Sequence, residues 1–145
     1  MNGLNLVLEN MLPHLSFGRI DDLLWIINVV GQQSLGVCLD TGHANLSGDI
    51  RTVVQKLSGH IRMLHVADNN GKSDDHLPPG KGNINWPGLI KNLLDALFKG
   101  ALIMELSGDR GTTEDALLQE AVQARQYIRD IIRKIQFDGM VKDRV

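Results

Sequence analysis

Four ionisable residues stand at or near the ends of four short apolar segments, and they are Glu9, Asp40, His65 and Glu105. An ionised carboxylate inside a sheet is costly unless it is paired or bound to a cation. Three carboxylates and one imidazole suit Mn²⁺, Mg²⁺, Co²⁺ or Zn²⁺, and the positive charge of the metal offsets the repulsion between the carboxylates. The set predicts one bound divalent cation. The competing interpretation is that some of the four cap helices or pair with Lys or Arg.

The elements that must position these residues are four strand–helix units. Apolar segments bounded by loop residues predict buried strands at Leu4–Glu9, Leu35–Asp40, Arg62–Ala67 and Ala101–Leu106. Amphipathic stretches predict helices at Ile20–Val30, Asp49–Leu57, Trp86–Lys99 and Thr113–Gln136. The alternation predicts an α/β fold of parallel strands joined by right-handed crossovers. Active sites of such folds lie at the C-terminal ends of the strands, where the ionisable residues stand.

Glycine, threonine and proline mark the expected helix ends. Gly31, Gly59 and Gly100 follow the first three helices, and we expect each to take the left-handed conformation of a helix end. Thr112 is the expected cap of the last helix, and Pro87 suits the first turn of the third.

The two faces of each predicted strand differ in size and chemistry. In the second strand Val37 and Leu39 lie on one face, and Cys38 and Asp40 lie on the other. The large aliphatic face suits packing under helices. The smaller face carries the ionisable residues, so the pattern predicts that they converge on one side of the sheet.

Two loops add polar groups to the same rim. His43 follows Asp40 by three residues, and we interpret it as a substrate or second metal contact rather than a solvent-exposed loop histidine. The long loop after the third strand carries Lys72, a candidate substrate contact. The same loop carries Asp74 and His76, which could complete a second metal or substrate contact. Long loops in small domains are usually functional or mobile.

Composition predicts a single domain over residues 1–145. Hydrophobic residues make up 43% of the chain and charged residues 22%, which argues against disorder. A formal net charge of −2 provides no general attraction to nucleic acid or to anionic membranes. One cysteine excludes an internal disulfide, and no apolar run is long enough for a membrane span. We therefore expect a cytoplasmic protein.

The chain resembles the xylose-isomerase-like TIM-barrel superfamily over roughly residues 4–106, and it is most similar to the sugar phosphate isomerase/epimerase branch. The resemblance is carried by Glu-Asn after the first strand, LDTGHAN after the second, HVADNNGKSDDHLPPGKGNINW after the third and MEL at the fourth. The run DDHLPPGKGNINW is its most specific part.

The resemblance implies a role for each candidate residue. In that family Glu, Asp, His and Glu at the ends of strands five to eight hold the metal, which matches Glu9, Asp40, His65 and Glu105. The two glutamates would serve as base and acid in proton transfer through an enediolate, on a sugar or sugar phosphate. A histidine three residues after the Asp contacts the substrate, which matches His43.

The resemblance also implies only half of a (β/α)₈ barrel, because a complete barrel typically needs about 250 residues. The four units match strands five to eight. A lone half would expose two sheet edges, so we expect a homo-oligomer that closes the barrel.

Two other functions stay open at this stage. The endonuclease IV branch adds an Asp-x-His metal pair, which Asp74 and His76 match, and such a protein would be a metal-dependent phosphodiesterase. The other alternative is a truncated, non-catalytic fragment that retains the metal site.

Overall fold

Strands and helices alternate along the chain in the computed structural model, which describes residues 5–31, 34–108 and 111–142. In chain order the elements are β1 (Leu6–Glu9), α1 (Ile20–Val30), β2 (Leu35–Asp40), α2 (Thr41–Leu46), α3 (Ile50–Leu57), β3 (Ile61–Val66), α4 (Trp86–Asp95), β4 (Ala101–Met104) and α5 (Glu114–Lys142). All four strands are parallel and form one sheet in the order β1-β2-β3-β4. The predicted α/β fold with parallel strands is confirmed.

Sequential strand order decides where the helices lie. Right-handed crossovers between neighbouring parallel strands place every connecting helix on the same face of the sheet. Helices α3, α4 and α5 form a continuous layer on that face, since α3 contacts α4 and α4 contacts α5. The opposite face is left without a helical cover in the described part of the chain, as on the inner wall of half a barrel.

The strand register aligns the ends that carry the ionisable residues. Asp40 on β2 lies opposite His65 on β3, and Glu9 on β1 lies opposite Cys38 on β2. Glu105 follows β4 directly, and its N–H donates to the Val66 carbonyl oxygen at 3.2 Å. The carboxyl ends of the four strands therefore meet along one edge of the sheet.

The core confirms the predicted aliphatic face for the two central strands. Val37, Leu39, Leu64 and Val66 are fully buried beneath the helices, in a cluster that includes Trp86 of α4. The outer strands differ from the expectation. Leu6 of β1 and Leu102 of β4 lie on the same face of the sheet as these core residues. Both are exposed, because β1 and β4 are the edge strands.

Strand β2 has the predicted bounds, Leu35–Asp40, and the bounds of the other strands differ from the predictions by one or two residues. Strand β1 begins at Leu6 and the predicted start at Leu4 falls outside the described residues; β3 begins at Ile61, and β4 ends at Met104. The end of β3 at Val66 leaves Ala67 to begin the long loop. These shifts leave the ionisable residues at the strand ends.

Helix α2 was not predicted, and it changes the setting of His43. The six residues Thr41–Leu46 are too few to show a helical period, so the sequence pattern predicts a loop there. The Asp40 side chain caps this helix by accepting the His43 N–H at 2.7 Å. His43 therefore lies in a helical turn and is held against the strand end by that cap.

The expected helix ends are partly right. Gly31 takes the left-handed conformation, with φ of 61°, and its N–H donates to Ile27, while Gly59 has φ of 85°. The prediction for Gly100 is wrong, because α4 ends at Asp95 and Leu97 takes the left-handed conformation instead. A Cβ at Gly100 would overlap the Arg62 carbonyl oxygen, so glycine is needed there for close approach.

The last helix starts and ends later than predicted. Thr113 rather than Thr112 caps α5, since its Oγ1 accepts the Ala116 N–H at 3.2 Å. The helix continues past Gln136 to Lys142. Pro87 lies in the first turn of α4, as predicted. Among the described helices, α5 included, there is none whose length and apolarity would suit a membrane crossing.

Candidate metal centre

The four predicted ligands come together at the strand ends. Glu9, Asp40, His65 and Glu105 each offer one ligand atom, and these atoms all lie within 4.8 Å of one another. His65 Nδ1 is 3.0 Å from Glu9 Oε1 and 3.2 Å from Glu105 Oε1. Asp40 is buried at the base of the cluster, while the two glutamates are about one-third exposed. One side of the cluster is therefore closed by the buried Asp40. The other side is open toward the face of the sheet that no described helix covers.

Asp40 shows that the cluster suits a cation. Its Oδ1 accepts the His43 N–H, but its Oδ2 is buried and finds no hydrogen-bond partner among the described residues. Burial raises the pKa of the Asp40 carboxyl, and the nearby Glu9 and Asp74 carboxylates add to that rise, against the opposing effect of His43. A buried carboxylate oxygen without a partner is costly, and a bound cation would satisfy it.

The donor set also has the chemistry of a divalent metal site. Glu9, Asp40 and Glu105 supply hard oxygen ligands and His65 supplies one imidazole nitrogen, a combination suited to Mn²⁺, Mg²⁺, Co²⁺ or Zn²⁺. The residues present therefore fit the cation that the sequence predicts.

His43 joins this centre to the long loop. Its Nδ1 lies 2.8 Å from the Asn10 carbonyl oxygen, and its Nε2 lies 3.3 Å from Asp74 Oδ2. The same Asp74 oxygen lies 3.1 Å from His76 Nε2. Burial alone would lower the pKa of His43, but the Asp40 carboxylate, the Asn10 carbonyl and Asp74 together raise it. The structure thus brings together the three rim residues His43, Asp74 and His76.

The loop that carries Asp74 and His76 is ordered by a buried carboxylate. Asp68 accepts four N–H groups, from the backbones of Asn69, Gly80 and Ile84 and from the Trp86 indole, at 2.7 to 3.2 Å. The role of Asp68 was missed in the sequence, where it stands as one of several acidic loop residues. The one signal in the sequence is that Asp68 directly follows the predicted third strand, Arg62–Ala67.

Asparagine side chains tie the same loop to α2. Asn69 is buried, donates to the Gly42 carbonyl and accepts from Asn45 at 2.8 Å. Asn45 is also 2.8 Å from Asn83 Oδ1, farther along the loop. These residues were assigned no role from the sequence, because hydrogen bonds between residues distant in the chain leave no periodic pattern.

Lys72 lies apart from these contacts. It is exposed in the long loop, and no salt bridge of Lys72 is found within the described residues. Its role as a substrate contact stays a prediction. Asn10, by contrast, was given no role from the sequence but is buried beside Glu9 and contacts both Asp40 and His43.

Comparison with known families decides the relationship. A model of the family described as xylose isomerase-like TIM barrel matches residues 1–139. The chain belongs to this family. The resemblance found in the sequence is therefore confirmed.

Relatives within the xylose isomerase-like family include sugar epimerases. The chain is 27% identical to an uncharacterised protein of Methanocaldococcus jannaschii over 148 residues, which cover 99% of this chain and 47% of that protein. It is also 27% identical to fructoselysine 3-epimerase of Escherichia coli O157:H7, over 72% of this chain and 39% of that enzyme. The chain spans about half the length, or less, of these relatives.

A solved structure shows the same proportion. The crystal structure of a D-tagatose 3-epimerase-like protein superposes with a TM-score of 0.81 and 26% identity, covering 93% of this chain and 49% of that chain. The described fold therefore corresponds to half of a TIM barrel, as predicted.

Proposed function

We propose that this chain carries the metal-binding half of a sugar or sugar-phosphate isomerase or epimerase that acts by proton transfer. The observation that carries the proposal is the pair Glu9 and Glu105, whose carboxylates both lie close to His65 and to a buried Asp40 Oδ2 that has no hydrogen-bond partner among the residues described. Similarity to a fructoselysine 3-epimerase and to a D-tagatose 3-epimerase-like protein supports the substrate class.

Proton transfer is the task of the two glutamates. When bound by Glu9, Asp40, His65 and Glu105, a divalent cation supplies Lewis-acid polarisation that makes the C–H bond beside a sugar carbonyl more acidic. One glutamate takes the proton from that carbon, which leaves an enediolate, and the other returns a proton to the carbon. Partial exposure of both carboxylates leaves them accessible to a substrate on the open face.

The rim residues orient the substrate. In neutral His43 the Nδ1–H donates to the Asn10 carbonyl, so the Nε2 lone pair faces the Asp74 carboxylate across 3.3 Å. Two acceptors at that distance require a proton or a cation between them. We therefore assign His43, Asp74 and His76 to a second contact, for a substrate hydroxyl or a second cation. Lys72, which is exposed in the same loop, is a further candidate substrate contact.

The chemistry is tested by assaying the chain with Mn²⁺ on a panel of ketoses and ketose phosphates, with exchange of the carbon-bound proton into D₂O as the readout. We expect exchange that depends on the metal. Nicking of DNA at abasic sites without any exchange would favour the endonuclease alternative and overturn the proposal. Metal binding with neither activity would favour the non-catalytic alternative.

We also propose that a second copy of the chain closes the barrel. Large apolar side chains are exposed at both edges of the sheet: Leu6 lies on the edge strand β1, and Leu102 lies on the edge strand β4 near Val122 of α5. A groove of about 520 Å³ lies between β4 and α5. If edge strand β4 of each copy paired with edge strand β1 of the other copy about a two-fold axis, both open edges of each sheet would be covered.

Native mass spectrometry tests closure and metal binding together. We expect a dimer that carries at least one divalent ion per chain. A monomer at micromolar concentration would contradict closure by a second copy, and loss of all bound metal from a folded chain would contradict the metal site.

A further inference from the structure

Asn10 holds the backbone of a metal ligand from the neighbouring strand. It follows β1 directly and is only 2% exposed. Its Oδ1 accepts the Asp40 N–H at 2.7 Å, and its Nδ2 donates to the Asp40 carbonyl oxygen at 3.1 Å. The oxygen and the nitrogen of the Asn10 side-chain amide therefore both bond the backbone of Asp40, which fixes Asp40 relative to β1.

The backbone of Asn10 acts on a second residue of the site. Its carbonyl oxygen lies 2.8 Å from His43 Nδ1. Because a carbonyl oxygen carries no proton, the hydrogen must be on Nδ1, and the Nε2 of neutral His43 is left facing Asp74. The position of one asparagine therefore determines which nitrogen of His43 faces the rim.

From these contacts we infer that Asn10 is a positioning residue, which sets the placement of Asp40 for metal binding and the tautomer of His43. The inference rests on the proposed function, because the metal centre is part of it. Groups that orient metal ligands typically change metal affinity or activity about 10–100-fold when they are removed. Asn10 is well placed for this, because it directly follows Glu9, another member of the cluster.

The test compares Asn10→Ala with Asn69→Ala in the full chain. Asn69 is the matched control, since it is also a buried asparagine, but its side chain bonds Gly42, Asn45 and Gly71. Mn²⁺ affinity is measured by titration calorimetry, and the His43 tautomer by ¹⁵N NMR of the metal-free protein. We expect Asn10→Ala to weaken Mn²⁺ binding by about 10–100-fold, with less than about threefold change in the control. Asn10→Ala keeps the backbone carbonyl that faces His43 but removes the side-chain bonds that tie Asn10 to Asp40, so we expect the carbonyl to shift and the His43 tautomers to mix.

A second variant guards against misfolding of Asn10→Ala. Asn10→Ser keeps one hydroxyl for one of the two bonds to Asp40, and we expect a smaller loss of Mn²⁺ affinity than in Asn10→Ala. Wild-type affinity and an unchanged His43 tautomer in the folded Asn10 variants would overturn the inference while leaving the metal site in place. Absence of Mn²⁺ binding in the wild-type chain would instead overturn the proposed function.

Discussion

His65 Nδ1 lies between two carboxylates, 3.0 Å from Glu9 Oε1 and 3.2 Å from Glu105 Oε1. These residues come from the ends of β3, β1 and β4, so the relationship exists only when the whole sheet has formed. Both glutamates approach the same imidazole nitrogen, so the two carboxylates that we propose as base and acid lie close enough to act on one substrate. We therefore expect some substitutions in the cluster to lower metal affinity and others to lower activity.

Asp40→Asn should remove the stabilisation that metal provides without destabilising the metal-free protein. The variant replaces a buried carboxylate, one oxygen of which has no hydrogen-bond partner in the described part of the chain, by a neutral amide of the same shape. Mn²⁺ at a hundred times its Kd should raise the wild-type free energy of unfolding by about 2.7 kcal/mol. The same concentration should raise that of the variant by less than about 1 kcal/mol. Urea unfolding with and without Mn²⁺ measures both, and equal stabilisation of the two proteins would contradict the ligand assignment.

Glu105→Gln should abolish turnover while the fold survives. The substitution keeps the size of the side chain but removes a proton acceptor and a ligand charge, so we expect kcat to fall by about 10²- to 10⁴-fold at saturating Mn²⁺. Circular dichroism should be unchanged. Glu114→Gln, in the exposed first turn of α5, is the control and should retain activity. A Glu105→Gln variant of undiminished kcat would show that another group transfers the proton.

Asp68→Asn should loosen the long loop. Each Asp68 oxygen accepts two N–H groups, so the amide nitrogen of Asn would face two donors in either orientation. We expect a loss of about 2 kcal/mol or more in the free energy of unfolding, together with faster hydrogen exchange of residues 69–85. Asp75→Asn in the same loop is the control. Equal stability of the two variants would mean that Asp68 does not order the loop.

Gly100→Ala and Gly139→Ala should change stability in opposite directions. A Cβ at Gly100 would overlap the Arg62 carbonyl oxygen and press on the Phe98 ring, which should cost about 1–3 kcal/mol. A Cβ at Gly139 meets nothing, and alanine there should stabilise α5 by up to about 1 kcal/mol. Thermal unfolding of both variants measures the difference. A Gly100→Ala variant as stable as the wild type would contradict the close approach of Gly100 to the Arg62 carbonyl of β3.

Local sequence pattern was sufficient to predict elements whose own residues carry the signal. Apolar runs predicted all four strands within two residues, and Gly31 was correctly placed at a helix end. Sequence pattern gave wrong predictions where a contact with a residue outside the segment determines the backbone conformation. Helix α2 has too few residues for a period and is capped by Asp40, and Gly100 is needed because the Arg62 carbonyl approaches it.

The sequence by itself determined which residues could bind a cation. Alternation along a strand decides which side chains share a face, and the end of an apolar run marks the end of a strand. Only the tertiary structure decided how those residues are held. Asn10 bonds Asp40 and His43, which are 30 and 33 positions away, and Asp68 bonds Gly80, Ile84 and Trp86, which are 12 to 18 positions away. Such contacts have no period and no preferred spacing, since they depend on which strand ends the fold brings side by side.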